Sequence, residues 1–200
     1  MNGAVDGAAR LLLDATTLLL VPALAALLLA VGWSLLQTGA ALREWRERRR
    51  AAVWPAALAR GEPAALATFF AGQHPGFLGR FAARGRALRG EILLLEKLAA
   101  DLEIEADHAL GRVNLGARLA PMLGLVGTLI PLGPALVGLS RGELEVLVQD
   151  LVVAFTTTVL GLFAGGLCCA IALCRRRWYA QDLADLELVL RALRAEAARD

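Results

Sequence analysis

LAPMLGLVGTLIPLGPALVGL (residues 119–139) and LVVAFTTTVLGLFAGGLCCAIALC (residues 151–174) decide the fold of this chain. Neither segment holds an Asp, Glu, Lys, Arg or His. At ~1.5 Å per helical residue, each is long enough to cross a ~30 Å hydrocarbon layer. Both also carry Gly, Thr or Pro where a simple membrane anchor would have Leu. Small residues let helix backbones approach closely in lipid, so the two segments read as a packed pair of spans.

Upstream, ATTLLLVPALAALLLAVGWSLL (residues 15–36) supplies a third candidate span. With 58% apolar and 20% charged residues in 200, three spans leave too little chain for a large independent soluble domain. The expected fold is therefore an all-α integral membrane protein with three transmembrane helices, each extended into the cytoplasm. Charge sets the orientation. Ten Arg against three Glu fall in residues 43–89, and Arg175, Arg176 and Arg177 follow the last span at once. The outer candidates are Asp6, Arg10 and Asp14 at the N-terminus, and Arg141, Glu143, Glu145 and Asp150 after the second span. The positive-inside rule then gives a multi-pass inner-membrane topology with the N-terminus out and the C-terminus in. Residues 1–14 are periplasmic, 37–118 a cytoplasmic helical region, 140–150 a periplasmic turn and 175–200 a cytoplasmic C-terminal helix. The first span is too long for a signal-peptide core, and its basic cluster follows it, so an uncleaved helix is expected.

Outside the spans the helical period continues. Residues 37–50 are good helix formers, so the first helix extends past its span. Gly61-Glu62-Pro63 and GQHPGFLG (residues 72–79) break the pattern, with a short helix at 64–71 between them. From residue 86 to 112, Leu88, Ile92, Leu95, Leu98, Leu102 and Ile104 form an apolar stripe that leads into the second span. Leu183, Leu186, Leu190 and Leu193 form another after the third.

Catalytic and metal signatures are lacking. His74 and His108 stand apart from any Cys or carboxylate cluster and are expected at the surface. Cys168, Cys169 and Cys174 have no partner at metal-ligand spacing and read as small packing residues. No nucleophile elbow, phosphate-cradling loop or zinc spacing occurs, so neither an enzyme nor a cofactor is expected. Arginines beside a span set topology and meet anionic lipid rather than nucleic acid.

On a helical wheel, Ala154, Thr158, Gly161, Gly165, Cys168 and Ala172 step by four or three and share a face. Gly124, Thr128, Pro131 and Ala135 do so in the second span. Close helix packing accounts for most of these positions. For Thr128 and Thr158 two accounts stand: packing alone, or the wall of a narrow polar lumen. No titratable group lies near the middle of either span, so a proton path here needs an acid from another chain.

APMLGLVGT (residues 120–128) resembles the second-span signature of the MotA/TolQ/ExbB proton-channel family, roughly A-P-L-L-G-L-L-G-T-V. AFTTTVLGLFAG (residues 154–165) is similar to that family's third-span segment, A-L-x-x-T-A-x-G-L. Three spans resemble the TolQ and ExbB branch, although Pro131, Pro134 and the short cytoplasmic region mark a divergent member. The resemblance implies a homo-oligomer, a pentamer, around the single helix of an ExbD/TolR/MotB-like partner that supplies the membrane Asp. It implies that Thr128 and Thr158, with the adjoining Thr157, line the pore. Pro121, Gly124, Gly127, Pro131, Gly161 and Gly165 are then the helix-packing residues. The implied function is a stator-like proton-channel subunit of an envelope energy-transducing complex. The alternative is a non-conducting membrane scaffold that gathers partner proteins.

Overall fold

The computed structural model describes residues 2–49, 65–88 and 90–198, with side chains at Ala15 and from Leu18 onward within that set. The expected break at Gly61-Glu62-Pro63 and the side chains of Asp6, Arg10 and Asp14 lie outside it. Among the described residues every regular element is helical: α1 (Asn2–Arg49), α2 (Ala65–Ala71), α3 (Gly76–Gly85), a 3-10 turn (Arg86–Leu88), α4 (Ile92–Ser140) and α5 (Leu144–Ala197). α1, α4 and α5 are long and apolar enough to cross a membrane, with peak mean hydropathies of 2.3, 1.9 and 2.1. Only 11%, 28% and 39% of those apolar windows is buried within the chain. So much exposed apolar surface calls for lipid or further helices around it.

Two corrections concern local structure. The GQHPGFLG stretch breaks the helix only as far as Pro75, because Gly76 onward begins α3, whose Phe77, Leu78 and Phe81 are buried. The stripe on α4 runs through Leu95, Leu102, Ala106 and Val113, all buried, while Ile104 points outward. Two residues past Leu102, Ile104 turns about 200° away from it at 3.6 residues per turn.

The chain divides into two units, Met1–Thr38 with Val113–Ala170, and Gly39–Arg112 with Ile171–Asp200. In the first, the parts of α4 and α5 form an antiparallel pair joined by a tight turn. Gly138 O accepts the N–H of both Arg141 and Glu143, at 3.0 and 2.9 Å. Gly142 sits there at φ +78, a conformation that costs a glycine little.

The second unit has a conventional apolar core of Phe69, Phe70, Phe77, Phe81, Leu95, Leu102, Tyr179, Leu186 and Val189. The Phe77 ring meets Tyr179 edge-on at 4.6 Å. His74 is not simply a surface residue: its ring stacks on Phe69 at 4.7 Å, and Nε2 lies 2.8 Å from the Phe69 carbonyl. His108 is exposed as expected.

A buried ion pair sits against this core. Arg48 donates from Nη1 and Nη2 to the two oxygens of Asp182, both at 2.7 Å. The Asp182 side chain is 2% exposed and that of Arg48 14%. Glu44 bonds Arg48 at 3.0 Å and faces Arg175 at 3.5 Å. Burial pulls the Arg48 pKa down, but hydrogen bonds and charge from Asp182 and then Glu44 outweigh it and hold it above the usual value. Gly76, at φ +64, leaves room for the pair, since a Cβ there would stand 2.7 Å from Arg48 Nη2 and 2.8 Å from Asp182 Oδ2.

Removing one partner of such a pair strands the other charge in the interior, which costs about 3–5 kcal/mol. Asp182→Ala is therefore expected to lower the unfolding temperature of detergent-solubilised protein far more than the double change Arg48→Met with Asp182→Leu. Burial, then the neighbouring Asp182 charge, raises the Asp185 carboxyl above its ordinary 3.8. An acid whose pKa is raised by folding opposes folding once ionised, fully so above the folded pKa, and ceases to do so below the unfolded value. Asp185→Asn should thus raise the melting temperature at pH 7, with the gain vanishing toward pH 3.8 and below.

Candidate functional site

Where α4 meets α5, the backbones touch. A Cβ built on Gly161 would lie 2.7 Å from Ala120 O and 2.8 Å from Gly124 Cα. One on Gly124 would lie 3.0 Å from Thr157 O, and one on Gly165 2.5 Å from Pro121 Cγ. Gly138 faces Val146 at the end of the pair near the turn. The contact line is thus Ala120, Gly124, Gly127, Pro131 and Ala135 on α4 against Ala154, Thr157, Gly161, Ala164 and Cys168 on α5, all buried. Helices approach this closely only where side chains are minimal.

The threonines divide between this line and its flank. Thr157 occupies the line itself. It is 4% exposed, faces Gly127, and its Oγ1 donates to Ala154 O of its own helix at 2.8 Å. Sequence spacing centred the α5 face on Thr158 and the α4 face on Thr128, whereas the contact runs through the residues just before them. Thr128 follows Gly127 and Thr158 follows Thr157, so each turns about 100° from the contact line. In an antiparallel pair those two rotations lead to the same side. Pro121 and Gly165 lie on that flank too, and their contact marks it.

Both flank threonines are half-buried. Thr128 Oγ1 donates to Leu125 O at 2.6 Å. Thr158 Oγ1 reaches Gly124 O across the pair at a long 3.5 Å, which leaves it largely uncommitted. Beyond them the flank is open and apolar, with Leu125, Leu129, Phe155, Val159 and Leu162 exposed. On the other side of the contact line, Trp33 of α1 lies against Gly116, beside Cys168.

Prolines add a second kind of polarity. Pro121, Pro131 and Pro134 all lie inside α4. A proline has no N–H and cannot bond the carbonyl four residues earlier, here Ala117, Gly127 and Ile130. Each of these carbonyls therefore lacks its usual i+4 donor. Among the described residues no group of His, Cys, Asp and Glu could hold a metal ion. Cys168 is buried in the contact, and Cys169 and Cys174 are exposed.

Beside the geometry of this helix pair stands a comparison with known families, which finds a match over residues 90–187. Residues 90–187 form a MotA/TolQ/ExbB proton channel family domain. The domain takes in α4 and most of α5 and implies proton channel-type function in energy transduction. Its members are channel and transducer proteins that work with a partner of the ExbD/MotB kind. No curated protein and no solved structure matches the chain.

The glycine contact yields a sharp contrast. Gly161→Ala must push backbone from backbone, an overpacking cost of about 1–3 kcal/mol. Gly166 has open space around it, so Gly166→Ala should gain up to about 1 kcal/mol of helix propensity. Thermal unfolding in detergent is expected to move in opposite directions for the two variants.

Proposed function

We propose that this protein is the proton-conducting, stator-like subunit of an envelope energy-transducing complex. Several copies, five by family resemblance, surround the single membrane helix of an ExbD/TolR/MotB-like partner. The flank carrying Thr128 and Thr158 faces that helix. In this topology the N-terminus and the turn near residue 142 are periplasmic, and the arginine-rich segment and C-terminus are cytoplasmic, in a bacterial inner membrane.

The observation that carries this reading is the open flank itself. It carries two hydroxyls inside an otherwise apolar span, and holds no acid. A wall of that kind can solvate a proton relay but cannot hold the proton, so the titrating group comes from the partner. Between such walls, desolvation raises a carboxylate's pKa by disfavouring its charged form. Protonation from outside and release inside then alternate the charge of the partner's Asp, and each state prefers a different contact with the ring. A proton crossing 100 mV delivers ~2.3 kcal/mol, which drives displacement of the partner helix. Thr157 supports the wall from behind by keying α5 against Gly127.

The test uses the complex with its partner, reconstituted in liposomes. Thr158→Val keeps the shape and removes the hydroxyl, and should cut partner-dependent proton flux at least tenfold, about 1.4 kcal/mol of barrier. Thr158→Ser should retain most of it. Flux unaffected by Thr158→Val and Thr128→Val together would overturn the lumen role. A complex that assembles yet passes no protons in any form would favour the scaffold.

A further inference from the structure

In the first unit, α4 and α5 each carry a second apolar face that the described residues leave uncovered. On α4 it runs through Leu115, Met122, Leu125, Leu129, Leu132 and Leu136, each between 40% and 61% exposed. On α5 it runs through Val148, Val152, Phe155, Val159 and Leu162, each between 58% and 67% exposed. With exposed Arg118 counted on α4, and exposed Gly166 and Cys169 on α5, both faces step by three and four in strict alternation. That alternation is a 3.5-residue repeat, which keeps side chains in line with a neighbouring helix. Hydrocarbon asks only for apolarity and sets no period.

The two faces also match in level. Gly127 faces Thr157 and Gly138 faces Val146, eleven residues apart on both helices, so the antiparallel pair holds one register. In that register Leu136 is level with Val148, Leu129 with Phe155, Met122 with Leu162 and Leu115 with Cys169. Arg118 is level with Gly166, where a Cβ would meet nothing within 4 Å and a long stem has room. Within one chain these faces cannot meet. At ~100° per residue each lies about 150° round from the contact line, past Thr128 on α4 and past Thr158 on α5. A second copy rotated about the membrane normal keeps every residue at the same depth. Its α5 then meets this α4 in the register already set inside the chain.

We infer that the α4 face of one copy docks on the α5 face of the next, and that this second contact completes the lumen. Covering both faces removes on the order of 1,000 Å², the size at which specific interfaces begin. Helices joined through faces about 150° apart turn by about 30° at each step. They close a ring of about ten to twelve, two from each of five or six copies, with Thr128 and Thr158 on the inside of the angle. The inference rests on the multimer of the proposed function and not on proton conduction.

Cysteine cross-linking of the full chain in membranes tests it. In a background of Cys168→Ala and Cys174→Ser, Cys169 remains, and Leu115→Cys places a second thiol level with it. Dibromobimane is expected to give a ladder of covalent multimers from that variant. The yield should be at least fivefold that from Leu119→Cys, an exposed position turned about 100° off the face. Leu129→Cys with Phe155→Cys, in a chain also freed of Cys168, Cys169 and Cys174, should ladder likewise. A multimer by native mass spectrometry in which neither pair links above the Leu119→Cys level would overturn the docking and leave the multimer standing. A monomer would overturn both. Linked complexes that pass no protons would uphold the docking and count against conduction alone.

Discussion

Contact between the backbones of α4 and α5 is the constraint on which the membrane-spanning part depends. In lipid, apolar side chains gain nothing by leaving hydrocarbon for one another's company, so helices associate through close fit. Gly124, Gly161 and Gly165 provide that fit by presenting no side chain, and Thr157 locks into the space that Gly127 leaves. Everything proposed for the flank follows from this line. Had the helices met one residue further round, Thr128 and Thr158 would be enclosed between them.

The two units are held by different physics. The second has an aromatic and aliphatic core of the kind found in soluble domains, with a buried ion pair set against it. Such a pair adds little net stability over an apolar substitute but tolerates no half-removal. Its geometry is demanding, since both oxygens of Asp182 meet Arg48 and the backbone N–H of Phe77 points at Oδ2 from 3.4 Å. Gly76 is required where it is because the space a Cβ would fill is already taken by these charges.

The helices and their order were legible in the sequence because apolar length and helical period are strong local signals. The family was legible because two motifs stand at the right separation. Finer features were not. Faces stepping by three and four are satisfied almost equally by Thr157 or Thr158, which lie ~100° apart, and only the neighbouring helix decides. Arg48 looked like one more topology-setting arginine, yet its partner lies 134 residues away in sequence. α3 hid behind Gly and Pro, residues whose local preference is overridden when Phe77, Leu78 and Phe81 find a core.

The prolines of α4 carry a last consequence. Carbonyls deprived of a donor are dipoles with free negative ends, and hydrocarbon cannot satisfy them. At Gly127 and Ile130 that loss weakens the ladder of α4 and lets its C-terminal third bend where a straight helix would resist.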